Sequence, residues 1–133
     1  MGMNKSTIYT DKAPKPGPSI SQAVRIGNLL FTEGVVGRDP QTGELASDEI
    51  RGQTRQVLNS IEAILERAGT SLRNVIKVNA YVRDITRDIE AFNEVYRDFF
   101  DPENAPARTI VQVGNFRGKV VVEIDVIAHV TDG

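Results

Sequence analysis

Cysteine is absent from the 133 residues and histidine occurs once. That excludes disulfides and thiolate nucleophiles, leaves most zinc sites short of ligands, and weighs weakly against a serine-histidine-aspartate triad. The fold must be held by packing. No run is long and apolar enough to span a bilayer, and residues 1–18 lack the apolar core of a signal peptide. These absences predict a cytoplasmic protein with no membrane partner, in keeping with a reducing compartment. Charge of one sign is lacking as well: sixteen Lys and Arg stand against eighteen Asp and Glu, a net charge of -2, and no basic block occurs. Nucleic acid is therefore not an expected partner.

What is present suits one domain over residues 1–133, long enough to bury a core. Three of the six prolines, Pro14, Pro16 and Pro18, fall early, which predicts an edge strand over 6–10 and then an extended connector. Strand-like runs at 21–26 and 29–36 flank Gly27-Asn28, a dipeptide able to supply positive φ in a tight hairpin. A turn-rich loop follows at 38–45. Over 47–68, Ile50, Val57, Leu58, Ile61, Ile64 and Leu65 recur at helical spacing, with Ser47 as the predicted cap, Asp48 and Glu49 at the positive end and Gly69 as the exit. Residues 75–82 alternate as a half-buried strand. A second amphipathic helix is predicted over 88–99, its aromatics spaced for core burial.

The last two strands are predicted at 109–113 and 120–130. Val120, Val122, Ile124, Val126, Ala128 and Val130 share one face of the final strand; Val121, Glu123, Asp125, Ile127 and His129 share the other. That second face mixes carboxylates with apolar side chains. Two helices cover one side of such a sheet, so the other is left for a second copy, and a homo-oligomer is expected.

Candidate site residues follow from this frame. Arg108 stands after Pro106-Ala107 at the mouth of a strand, on one side with Ile110 and Gln112. Its guanidinium fork suits a carboxylate; the alternative is an ion pair with a nearby Glu or Asp. Glu123 lies inside an apolar strand, where an ionised carboxylate needs a partner, water or a raised pKa. It can orient water, or form an inter-subunit salt bridge, which the residues alone favour. Glu33 ends an apolar run beside Gly34 and poses the same question. His129, with Asp125, reads as structural rather than metal-binding. Gly34-Val35-Val36-Gly37 opens no helix and lacks the geometry of a phosphate loop.

Ordered words along the chain resemble the RidA/YjgF family of imine and enamine deaminases: Gly17-Pro18 with Ser21-Gln22-Ala23-Val24, Gly27-Asn28-Leu29-Leu30-Phe31, Asp39-Pro40-Gln41-Thr42-Gly43-Glu44, Gln53-Thr54-Arg55-Gln56-Val57-Leu58-Asn59, Phe92-Asn93-Glu94-Val95-Tyr96, Pro106-Ala107-Arg108-Thr109 and Val122-Glu123-Ile124. The resemblance implies an α+β fold, a mostly antiparallel sheet with two helices on one face and a homotrimer formed through the other. It implies ligand clefts between subunits, Arg108 holding a substrate carboxylate, Glu123 positioning the hydrolytic water and the Ile110 carbonyl touching it, with no metal or organic cofactor.

Two departures stand out. The tyrosine usual before the Ser-Gln-Ala-Val word is Ile20 here, or Ser19 if Gly-Pro sets the register, and the usual serine before the hairpin glycine is Glu33. Replacing a hydroxyl by a carboxylate alters the site charge by about one unit, worth kilocalories in a partly dry cleft. The resemblance therefore implies hydrolysis of a small carboxylate-bearing imine or enamine to a carbonyl compound and ammonia, on an altered substrate. The competing readings are a non-catalytic trimeric module that binds a small keto acid, and an RNA-directed activity that the acidic balance opposes.

Overall fold

The computed structural model describes residues 4–131; the ends of the expected domain, residues 1–3 and 132–133, lie outside the described residues. Helix α1, Ile50–Arg67, forms on the predicted stripe, and Val57, Leu58, Ile61 and Leu65 are fully buried. Gly69 leaves it at φ 85°, a conformation that costs glycine little.

Its start differs from the prediction. Glu49 is the extended N-cap residue with no side-chain cap, and the first turn holds no acidic residue. Ser47 stays outside because Gln53 Nε2 donates to its carbonyl at 3.0 Å, while its Oγ accepts from the Glu49 N–H at 3.0 Å. Helix α2, Ile85–Phe99, begins before residue 88 because Asp84 caps it, accepting from the Arg87 N–H.

The strands are β1 Ser6–Ile8, β2 Ala23–Ile26, β3 Leu29–Thr32, β4 Val35–Val36, β5 Val75–Val82, β6 Ala107–Gln112 and β7 Val122–His129. The sheet order is β1-β2-β3-β7-β5-β6, with β4 also on β7. Only the β5–β6 pair is parallel, joined by α2 as a parallel pair requires. The hairpin β2–β3 closes through Gly27 at φ 57°; Asn28 keeps negative φ, so a single positive φ suffices.

Several expected strands have other bounds, and β2 begins at Ala23 rather than at residue 21. The run over 29–36 breaks into β3 and β4 because Phe31 pairs with Ile127 and Val35 with Ile124, so residues 32–34 oppose residues 125–126. This is a bulge. Thr32 Oγ1 accepts the Val126 N–H at 3.0 Å, and the Glu33 N–H turns away to Gln22 O at 2.9 Å. Strand β6 starts at Ala107, which puts Arg108 within the strand rather than at its mouth, and β7 is shorter than 120–130 at both ends. Strand β1 is likewise shorter than 6–10.

Both helices lie on the face formed by Val78, Val82, Val122, Ile124, Val126 and Ala128, all buried. They are laced side by side by exposed ion pairs, Arg51–Glu94 and Arg55–Asp98. The alternation predicted for β7 holds: buried residues alternate strictly with half-buried Glu123, Asp125, Ile127 and His129. The second face has no covering helix and exposes Leu29, Phe31 and Val111 at 39%, 39% and 42%. Among the described residues no helix is long and apolar enough to cross a membrane.

Candidate functional site

The open face of the sheet collects the carboxylates. Glu123 pairs in register with Tyr81 on β5 and Val36 on β4, and the bulge at residues 32–34 turns Glu33 toward it. A Cβ at position 34 would meet Glu123 Oε2, so any side chain there would displace the carboxylate. The Glu123 side chain thus lies across the backbone of the bulge.

Electrostatics follow from crowding. Burial pushes the Glu33 carboxyl up to about 7, and the Glu123 charge adds to the effect. Burial also raises Glu123, with Asp125 contributing. Tyr81 is raised by burial, then by Asp125 and Glu123. Asn79 Nδ2 donates to Asp125 Oδ1 at 2.9 Å, which keeps Asp125 paired. Near neutral pH, Glu33 is therefore divided between acid and base, a state suited to proton transfer.

Arg108 is elsewhere. It pairs in register with Val78 on the helix-covered side, so within the chain Arg108 and Glu123 occupy opposite faces of the sheet. Its Nη1 donates to Asn93 Oδ1 on α2 at 2.8 Å, and its Cζ lies 4.7 Å from the Tyr96 ring centroid and 5.6 Å from that of Phe92. Arg108, Ile110 and Gln112 do share one side: Ile110 packs against the core, and Gln112 Oε1 accepts the Ile85 N–H at the start of α2 at 3.0 Å. The ion pair with a nearby acid, the alternative reading of Arg108, is not formed among the described residues; its partner is the neutral Asn93.

Ile20 lies 53% exposed in a turn where its N–H donates to Gly17 O at 3.2 Å and Ser19 adopts φ 67°. Gly17 and Glu33 line one cavity of about 160 Å³ with Pro14, Lys15 and Arg38. The structure therefore brings Glu33 together with Glu123 on one side and with the Gly17 turn on the other. It does not bring Arg108 to them.

Sequence reasoning missed Asn93 and Tyr81. Tyr81 was visible as a polar-face residue of the alternating strand, and Asn93 lay in a family word without a role. Among the described residues no group of three or more His, Asp or Glu side chains is placed to hold a metal ion.

The endoribonuclease L-PSP family model matches residues 10–130. A RutC family protein of Pyrococcus horikoshii is 47% identical over 125 residues, covering 94% of this chain and 98% of that one. The chloroplastic Reactive Intermediate Deaminase A of Arabidopsis thaliana is 35% identical over 126 residues, covering 95% of this chain and 66% of that protein. Among solved structures, E. coli TdcF with bound serine is 35% identical with a TM-score of 0.86, covering 95% of this chain and 99% of that one.

Proposed function

The chain belongs to the RidA/YjgF family, and from that premise we propose that it is a cofactor-free deaminase of small carboxylate-bearing imines and enamines. The substrate sits between subunits of a homotrimer. One observation carries this reading: Arg108 and Glu123 face opposite ways in a protomer, so an anion grip and a water-positioning carboxylate meet only across an interface. The exposed Leu29, Phe31 and Val111 on the same sheet face as Glu123 supply apolar surface for that contact.

In the reaction, Arg108 holds the substrate carboxylate. The C=N nitrogen is protonated to the iminium, and Glu123 orients a water whose oxygen bonds to the iminium carbon as the π pair moves to nitrogen. A proton passes from the added oxygen to nitrogen in the resulting carbinolamine. The C–N bond then breaks, ammonia leaves and the carbonyl forms. Glu33, whose carboxyl burial pushes up to about 7, donates the proton that forms the iminium and recovers the hydroxyl proton as the C–N bond breaks, and its charged form favours a cationic iminium. Ile20 takes the wall where relatives carry tyrosine, so an apolar group replaces a phenol against the substrate, while the Ile110 carbonyl is a further contact for the water.

The test generates 2-imino acids from L-leucine with an amino-acid oxidase and traps them with semicarbazide. Wild-type protein should lower the trapped fraction and release ammonia. Equal trapping with wild type and Arg108→Ala would sink the reading. The serine bound to the similar TdcF favours a second reading, a non-catalytic binder of small amino or keto acids; ligand-induced thermal stabilisation without ammonia release would support it.

A further inference from the structure

The word Phe92-Asn93-Glu94-Val95-Tyr96 has no part in the reaction above, and in the fold it lies on α2 directly behind Arg108. We propose that Asn93 and Tyr96 are positioning residues that fix the guanidinium of Arg108 as a carboxylate receptor. The inference rests on the reading that Arg108 grips a carboxylate.

Arg108 is an exposed residue on an edge strand, where a free arginine would sample many rotamers and lose that freedom on binding an anion. Three contacts remove it. Tyr96 lies under the guanidinium at 4.7 Å, Phe92 flanks it at 5.6 Å, and Asn93 Oδ1 accepts from Nη1 at 2.8 Å. The rings set the plane of the fork and Asn93 sets its rotation within that plane. Neither uses up the receptor, since a guanidinium has five N–H donors and these bonds occupy one nitrogen.

The backing is itself packed. Phe92 and Tyr96 are 5.7 Å apart and Tyr96 and Phe100 are 4.6 Å apart, and Phe92 is fully buried. Asn93 is a neutral partner, so unlike an aspartate it orients the cation without cancelling its charge toward an incoming anion. Among the described residues the Tyr96 hydroxyl is buried without a hydrogen-bond partner, which assigns the function of that residue to its ring rather than to its oxygen.

The experiment titrates the full-length protein with 2-oxobutanoate by calorimetry and records the rotation of the Arg108 guanidinium by 15N NMR, with melting temperatures alongside. Asn93→Ala and Tyr96→Leu should each weaken binding about tenfold and accelerate guanidinium rotation, while Tyr96→Phe recovers most of what Tyr96→Leu loses. Glu94→Ala, which breaks only the exposed pair with Arg51, serves as the control for damage to α2 and should leave binding unchanged. If Arg108→Ala abolishes binding while Asn93→Ala and Tyr96→Leu bind as wild type does, the positioning role is wrong and the carboxylate grip stands. If wild type binds no 2-oxobutanoate, or Arg108→Ala binds it equally well, the grip itself is wrong and the positioning role falls with it.

Discussion

Oε2 of Glu123 occupies the space in which a side chain on Gly34 would begin. The carboxylate and the bulge are therefore one unit. Gly34→Ala should swing Glu123 out of place, lowering imine hydrolysis by about a hundredfold, the order seen when a positioned catalytic group is lost. The oxidase-coupled assay reads this directly, and full activity in Gly34→Ala would show that the Glu123 orientation is not needed.

Glu33 makes stability depend on pH with a definite sign. Its folded pKa of about 7 lies above the ordinary carboxyl value of 4.5, so the native state holds the proton more tightly than the unfolded chain. The resulting stabilisation is complete below pH 4.5 and is lost as pH rises through about 7. Relative to Glu33→Gln, wild-type protein should lose melting temperature across that window. Parallel curves for the two proteins would contradict it. The same proton should give kcat/KM a falling limb near pH 7 that Glu33→Gln lacks.

Removing the anion grip should act on binding. Arg108→Ala is expected to raise KM about a hundredfold, the loss of a charge-assisted bidentate pair. Arg108→Lys should recover little, because an ammonium offers a point charge where a planar fork is required. Steady-state kinetics on the leucine-derived imine separate KM from kcat.

Gln53 joins helix, turn and sheet. Its amide donates to Ser47 O at 3.0 Å and Lys119 O at 2.9 Å, and its Oε1 accepts the Val121 N–H at 2.9 Å. Gln53→Leu leaves the buried Val121 N–H and two part-buried carbonyls without this amide and should cost about 2–3 kcal/mol in a urea titration.

The open face should close against copies of itself. Phe31→Asp puts a charge among Leu29, Ile127 and the exposed apolar surface, and light scattering should then report single chains in place of three. An unchanged mass would place the interface elsewhere.

Helix α1 and the two-faced strand β7 were legible because their periods are local: Val57, Leu58, Ile61 and Leu65 recur on one stripe, and Val122 to His129 alternate without a break. Boundaries were less legible because partners distant in sequence set them. Gln53 draws the Ser47 carbonyl away from the helix, and the Thr32 hydroxyl takes a ladder bond that splits β3 from β4. Arg108, Glu123 and Glu33 became candidate site residues through composition and family words, since a fork of donors and a carboxylate in an apolar strand are visible one residue at a time.

The sequence by itself determined the fold class, the apolar stripe of each helix and which residue types can do chemistry, since these depend on near neighbours along the chain. Only tertiary structure decided which of them meet. Pairing of β7 with β3, β4 and β5 carries Glu123 to the bulge at Glu33, while the parallel register of β6 turns Arg108 onto the helix side against Asn93 and Tyr96. A strand's face is set by its register, and register is a long-range agreement that no local pattern contains.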